Sequence, residues 1–293
     1  MPDLNFVVST LSSAAYYSLL ALAIVFVYRT NRILLFCVGE IGALSAFIAH
    51  DVYEAVNLAG YGAPWAFAIA AALAVAGLIG GLLLLVVEYL GKTVDHFVGT
   101  MLTIAFSLVL QGVINFVWQG EIYRFMLAPS FIRVGDVRIS VIALTVAVTG
   151  LALAFAAVAI LRFSSIGRDM QALAGNRALS ALRGVPVRPV LIGVGVFAGL
   201  LAGSGGILGA IMTSISLENS AMSVNAVVAA IIGGLTNPLG AVVGALILAL
   251  AENLTSIYLD SRYATLMPIV LLGVMLIFKP YGLFGRQETI QRV

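Results

Sequence analysis

Residues 139–190 read ISVIALTVAVTGLALAFAAVAILRFSSIGRDMQALAGNRALSALRGVPVRPV. Residues 139–162 are one apolar run, and about 20 apolar residues suffice to cross a hydrocarbon core about 30 Å thick. Residues 164–188 then bring Arg168, Arg177, Arg183 and Arg188 before a second apolar run begins. Lipid offers unpaired backbone groups no partner, so crossing segments are helices or closed barrels. Runs this long and evenly apolar exclude the alternating strands of a barrel. The stretch is two membrane helices joined by a polar segment at one surface.

The same pattern extends over the whole chain. It has 293 residues, 62% hydrophobic and only 10% charged, with mean hydropathy +1.12, too little polar surface to cover a soluble domain. Apolar runs near 6–28, 33–50, 64–90, 97–118, 139–162, 188–212, 222–235, 238–258 and 263–279 predict an all-α, polytopic membrane protein with about eight or nine transmembrane helices. Residues 1–293 read as a single transmembrane domain. The seventh run is short and ends at Gly233-Gly234 with Asn237-Pro238 beyond, so it reads as a possible half-helix or re-entrant element. Asp3 and no Lys or Arg precede the first run, the reverse of a cleavable signal, so that run is expected to stay as a helix. Cys37 is the one cysteine and forms no internal disulfide.

Charge placement predicts orientation. With the N-terminus outside, the inner loops receive Arg29, Arg32, Lys92, Arg162, Arg168, Arg177, Arg183, Arg188, Lys279, Arg286 and Arg292. Arg124, Arg133, Arg138 and Arg262 stay outside, together with the acids Asp51, Glu54, Glu121, Asp136, Glu218 and Asp260. The prediction is N-out and C-in, with nine crossings and a loop at 119–138 as the largest outer segment. No basic patch resembles a nucleic-acid surface.

In the segment 164–184, Ser164 or Ser165 caps a helix of about four turns and Gly184 ends it. Met170, Leu173, Ala174, Ala178, Leu179 and Leu182 fall near one face, with Arg168, Asn176 and Arg183 on others. Periodicity leaves two readings open: a helix lying on the bilayer, or one fitting a groove on another protein.

Within the spans, Glu40 and Glu252 are the ionisable candidates, and such groups at bilayer depth usually face a cavity or a partner. Glu40 follows Gly39, where a loosened helix can turn the carboxylate inward to meet a substrate amine, a gating hydrogen bond or a neighbouring helix. Glu252, near the end of its span, reads as structural. Thr100, Thr103, Ser107, Gln111 and Asn115 form a polar stripe, which either lines an aqueous path or bonds a neighbouring helix. Asn225, with Ser223, opens the short seventh element and can present amide groups to a substrate. Gly195, Gly199 and Gly203, and again Gly240 and Gly244, recur every fourth position and read as close-packing faces. His50 and His96 stand at span ends, and no metal-ligand cluster is evident.

The 164–184 segment resembles the coupling segment of permease subunits of the branched-chain amino-acid (LivH/LivM-type) ABC importers. The resemblance extends through 32–40 (RILLFCVGE), 232–244 (IGGLTNPLGAVVG), Ala251-Glu252 and the tail 278–285 (FKPYGLFG), in the family's order. It implies a bacterial inner-membrane importer: a second, homologous but different permease chain, two ATP-binding cassette subunits carrying ATP and Mg, and an external periplasmic solute-binding protein. Gly167, Arg168, Met170, Leu173, Asn176, Leu182, Arg183 and Gly184 would then meet the ATPase, while Gly39, Glu40, Thr103, Ser107, Gln111 and Asn225 are the pathway candidates. The chain departs from the family at Leu35, where Asn is common, at Val38, where a polar residue is common, and at Gly175, where an acid is usual.

The sequence agrees that ATP is hydrolysed elsewhere. Gly91-Lys92-Thr93 lacks the glycine a phosphate-binding loop needs five positions earlier, where Val86 stands. No cofactor is expected on this chain. The expected function is a transport subunit, not an enzyme, for branched-chain amino acids or a related small amphiphile. Urea, short amides or aromatic acids are the alternative substrates, and a stand-alone secondary transporter the alternative class.

Overall fold

The computed structural model describes residues 4–58, 64–90, 96–125, 130–134, 137–175, 177–216, 222–279 and 281–285. The helices are α1 (Leu4–Asn31), α2 (Val38–Leu58), α3 (Pro64–Leu90), α4 (His96–Trp118), α5 (Val141–Phe163), α6 (Ser165–Gly175), α7 (Arg177–Leu182), α8 (Val187–Met212), α9 (Met222–Gly233), α10 (Pro238–Tyr258), α11 (Ser261–Ala264) and α12 (Met267–Phe278). Two strands, β1 (Phe131–Val134) and β2 (Val137–Ser140), pair antiparallel just before α5.

Helix α1 forms the axis of the bundle. Every residue from Ala14 to Val27 is buried, as expected of a helix that is apolar all round. It packs against α5, α8, α9 and α10. Small residues bring the remaining helices together. A side chain at Gly80 would strike the Gly195 carbonyl, one at Gly199 the Ala76 carbonyl, and one at Gly206 the backbone of Gly42. Helices α2 and α3 thus lie against α8 at backbone distance, and Gly233, Gly240 and Gly244 join α9 to α10 likewise.

Six helices are long and apolar enough to cross a membrane: α1, α3, α4, α5, α8 and α10. Nine such helices are not present among the described residues. Helices α9 and α12 have 12 residues each, about 18 Å of rise against a core of about 30 Å. The expected span 263–279 is divided into α11 and α12 at Thr265-Leu266, with Pro268 in the first turn of α12.

The expected helix at 33–50 begins later, at Val38. Arg32 takes a left-handed conformation (φ 58°) and ends α1, and the chain then runs without helix to α2. Amides left without helical partners at this depth need others. The Leu34 N–H donates to Thr100 Oγ1 at 3.4 Å and the Phe36 N–H to Thr103 Oγ1 at 3.4 Å, while Thr103 Oγ1 donates to the Leu34 carbonyl at 2.8 Å. The lower half of the α4 polar stripe therefore satisfies this extended segment.

The tail forms the second backbone junction. The Leu283 N–H donates to the Ile232 carbonyl at 2.8 Å and the Phe284 N–H to the Gly233 carbonyl at 3.2 Å, closing carbonyls that a helix C-terminus leaves open. Gly234 (φ 102°) and Gly282 (φ 80°) face each other there in conformations that L side chains rarely adopt.

Three substitutions are compared by thermal unfolding of the purified chain in detergent. Gly282→Ala combines a left-handed residue with a backbone collision and should cost at least about 1–2 kcal/mol. Thr103→Val strands the Leu34 carbonyl and should cost about 1–3 kcal/mol. Thr145→Val, whose hydroxyl only donates to its own helix at Val141, should be nearly neutral.

Candidate functional site: two carboxylates joined by the first turn of α9

Helices α2 and α9 meet N-terminus to N-terminus. The Gly39 N–H donates to Ser223 Oγ at 2.7 Å, and Ser223 Oγ donates to Glu40 Oε2 at 3.0 Å. Gln111 Nε2 donates to Glu40 Oε1 at 2.9 Å. Glu40 is 3% exposed, so a carboxylate that costs several kcal/mol to desolvate is held by neutral donors. Its place in the first turn of α2, opposite the first turn of α9, sets it where helix dipoles favour a negative charge.

A second carboxylate, Glu252 of α10, is met two residues further along α9, at Asn225. Asn225 Nδ2 donates to Tyr17 Oη at 2.8 Å and to Glu252 Oε1 at 3.1 Å, and Tyr17 Oη donates to Glu252 Oε2 at 2.9 Å. Tyr17 is the middle of α1, which places both clusters at mid-depth in the bundle. The first turn of α9 thus bonds Glu40 through Ser223 and Glu252 through Asn225. Displacing that one turn would remove one hydrogen bond from each carboxylate together.

The structure brings Gly39, Glu40, Gln111 and Asn225 into this assembly and adds Glu252, which the sequence suggested as a separate structural group. Thr103 is fully buried and serves the extended segment, and Ser107 is buried one turn from both Thr103 and Gln111. Asn115, at the far end of the stripe, is exposed. Tyr17 was not singled out from sequence. Its signal was a phenol at the centre of an apolar run, where a hydroxyl needs a partner.

At the far end of α2, His50 lies among the rings of Tyr123 and Phe125, and the Trp118 indole donates to Asp51 at 2.9 Å. Tyr123 and Ile215 exchange backbone hydrogen bonds, tying the loop after α4 to the segment after α8. Among the described residues, no group of three or more His, Cys, Asp or Glu is arranged to hold a metal ion. His96 begins α4.

Of the segment expected as one helix at 164–184, α6 and α7 are described on either side of Asn176, which lies outside the described residues. The expected apolar face is not evenly covered. Met170 and Leu173 of α6 are buried against the bundle, whereas Leu179 and Leu182 of α7 are exposed, Leu182 at 85%. Gly167 packs on the Leu161 carbonyl, where any side chain would collide, and so seats α6 under the end of α5. Arg168 and Arg183 are exposed, and Gly184 (φ 81°) follows α7 as its stop.

Residues 6–279 match the family model described as branched-chain amino acid transport system / permease component. The chain is 25% identical to the high-affinity branched-chain amino acid transport system permease protein LivH of Escherichia coli (strain K12), over 93% of this chain and 92% of that one. It is 25% identical to the probable branched-chain amino acid transport permease protein LivH of Methanocaldococcus jannaschii, over 94% of this chain and 91% of the relative. A solved structure, PsaBC from Streptococcus pneumoniae in complex with Fab, superimposes with TM-score 0.48 at 12% identity, over 95% of this chain and 94% of that one. With nearly its whole length matched, the chain belongs to the permease components of branched-chain amino acid transport systems.

Proposed function

We propose that this chain is the membrane-spanning permease subunit of an ATP-driven importer for branched-chain amino acids or a related small amphiphile. The family match over 6–279 supports the permease role, and the mid-depth meeting of α2 and α9 around Glu40 carries the mechanism. The substrate amine exchanges with Gln111 and Ser223 at the Glu40 carboxylate as the first turn of α9 moves. Ser107 and Thr103 border the path, and Glu252 with Tyr17 returns α9 to its closed position through Asn225. Alternating access follows from making and breaking these bonds.

The motor is a pair of separate ATPase subunits, which hold ATP and Mg. They grip α7 at the exposed Leu179 and Leu182, flanked by Arg183, and pass the movement through α6 to the end of α5. A second permease chain completes the path and an external solute-binding protein delivers substrate. The N-terminus lies outside and the C-terminus inside a bacterial inner membrane, as the basic residues around α6 and α7 support. The count of eight to nine crossings includes α2 and the short helices α9 and α12.

A second substrate class is favoured by one observation. Leu35 and Val38 are both buried beside the Glu40 turn, where polar residues are common in the family, so urea, short amides or aromatic acids are the alternative.

The test is uptake of labelled leucine, and then of urea, amides and aromatic acids, into proteoliposomes holding this chain with its permease partner, ATPases and receptor. Uptake requires ATP, and Glu40→Gln should lower it at least about tenfold, a loss of one charged hydrogen-bond partner, with assembly unchanged. Leu179→Ser with Leu182→Ser should reduce co-elution of the ATPase subunits. Undiminished ATP-independent uptake by the chain alone would overturn the proposal and mark a secondary transporter.

A further inference from the structure

The β1–β2 hairpin sets Arg133 directly opposite Arg138 in register, with Phe131 opposite Ser140 and Ile132 opposite Ile139. Like charges at opposed positions destabilise a two-stranded hairpin, which is marginal on its own. The hairpin sequence holds one acid, Asp136, against these two arginines. Alternation puts Phe131 and Arg133 on one face, and both are exposed, Phe131 at 60%; Ile139, of the other face, is buried.

The height of this hairpin is fixed by α5. Ser140 is the N-cap of α5, accepting from the Ala143 N–H, and the Val141 N–H donates back to the Ser130 carbonyl. The 23 residues of α5 rise about 35 Å, enough to fill the hydrocarbon core. Ser140 and Phe131 therefore stand at the boundary of the core, where aromatic residues gather. Arg133 and Arg138 lie two residues further out, about 7 Å, at the depth of lipid phosphates.

Directly below opens a groove of about 490 Å³ between α3, α5 and α8, beginning at Val141 and Trp65 and reaching Leu153. From Val141 to Leu153 is about 18 Å along α5, close to the depth of one leaflet. Its hydroxyls are turned away from the space: Thr145 donates to the Val141 carbonyl, Thr149 to the Thr145 carbonyl and Ser204 to the Leu201 carbonyl. The wall left is apolar. A paired cation above and an apolar channel one leaflet deep below match one ligand, an anionic phospholipid.

We propose that this end of the bundle, opposite α6 and α7, holds an anionic phospholipid, its phosphate at Arg133 and Arg138 and one acyl chain in the α3–α5–α8 groove. The lipid supplies a counter-charge to the two opposed arginines and fills the space between α3 and α5. This site goes beyond the transport reading and does not depend on it.

Native mass spectrometry of the full chain, titrated with dioleoyl phosphatidylglycerol and dioleoyl phosphatidylcholine, tests it. Arg133→Gln with Arg138→Gln should weaken phosphatidylglycerol retention about thirty-fold, from about 1 kcal/mol per arginine near an anionic surface, and leave phosphatidylcholine unchanged. Arg133→Lys with Arg138→Lys should keep it within about threefold, which separates lost charge from a misfolded hairpin. Thr149→Trp, filling the groove, should weaken both lipids. Equal phosphatidylglycerol binding in the glutamine variant, displacement of the lipid by inorganic phosphate, or its loss when the partner permease subunit is added would overturn the proposal.

Discussion

A carboxylate buried at mid-depth and held by neutral donors is the constraint around which this molecule is organised. Glu40 keeps its place because two helices begin beside it, setting the positive ends of their dipoles there, and because Gln111 and Ser223 donate to its two oxygens. For α2 to begin there, the chain from α1 must cross half the bundle without helix. That requires the hydroxyls of Thr100 and Thr103 to serve its backbone. The polar stripe of α4 thus has two offices along one helix: its early residues make an extended segment tolerable in an apolar medium, and Gln111 completes the acid. A single helix face links the interruption to the charge that exploits it.

Distant sequence motifs become one structure for the same reason. The run Ile232-Gly233-Gly234 ends a helix too short to reach across the bilayer, leaving carbonyls without partners inside protein. The tail Tyr281–Gly285 supplies those partners through Leu283 and Phe284. Each motif alone resembles a turn. Together they close a helix end, and the left-handed Gly234 and Gly282 allow two backbones to approach where a methyl group could not fit.

Hydropathy made most of the fold legible because a continuous apolar run in lipid has almost no choice but helix. It failed where the backbone is satisfied from outside the run. Ile33 to Val38 is as apolar as any span, yet hydroxyls on α4 take the place of helical bonds, and composition carries no trace of that. The hairpin at 131–140 was legible and was passed over: Phe131-Ile132-Arg133-Val134 and Val137-Arg138-Ile139-Ser140 flank Gly135-Asp136, a strong short-range hairpin pattern. Glu40, Gln111 and Asn225 were visible as polar groups in apolar surroundings. That Glu252 belongs with them depends on Tyr17, and no spacing rule connects residues 235 positions apart.

The enclosure of α1 bears on how the protein is made. Helix α1 precedes in sequence the helices that enclose it, so it is made before them and has no durable place in lipid until they arrive. Its Tyr17 phenol waits for Glu252, which is synthesised 235 residues later. Until α10 arrives, the early helices can be inserted but not sealed, and the nascent bundle must stay open along one side. Completion is therefore a late, concerted event, and a chain interrupted before α10 leaves its own axis exposed to quality-control proteases.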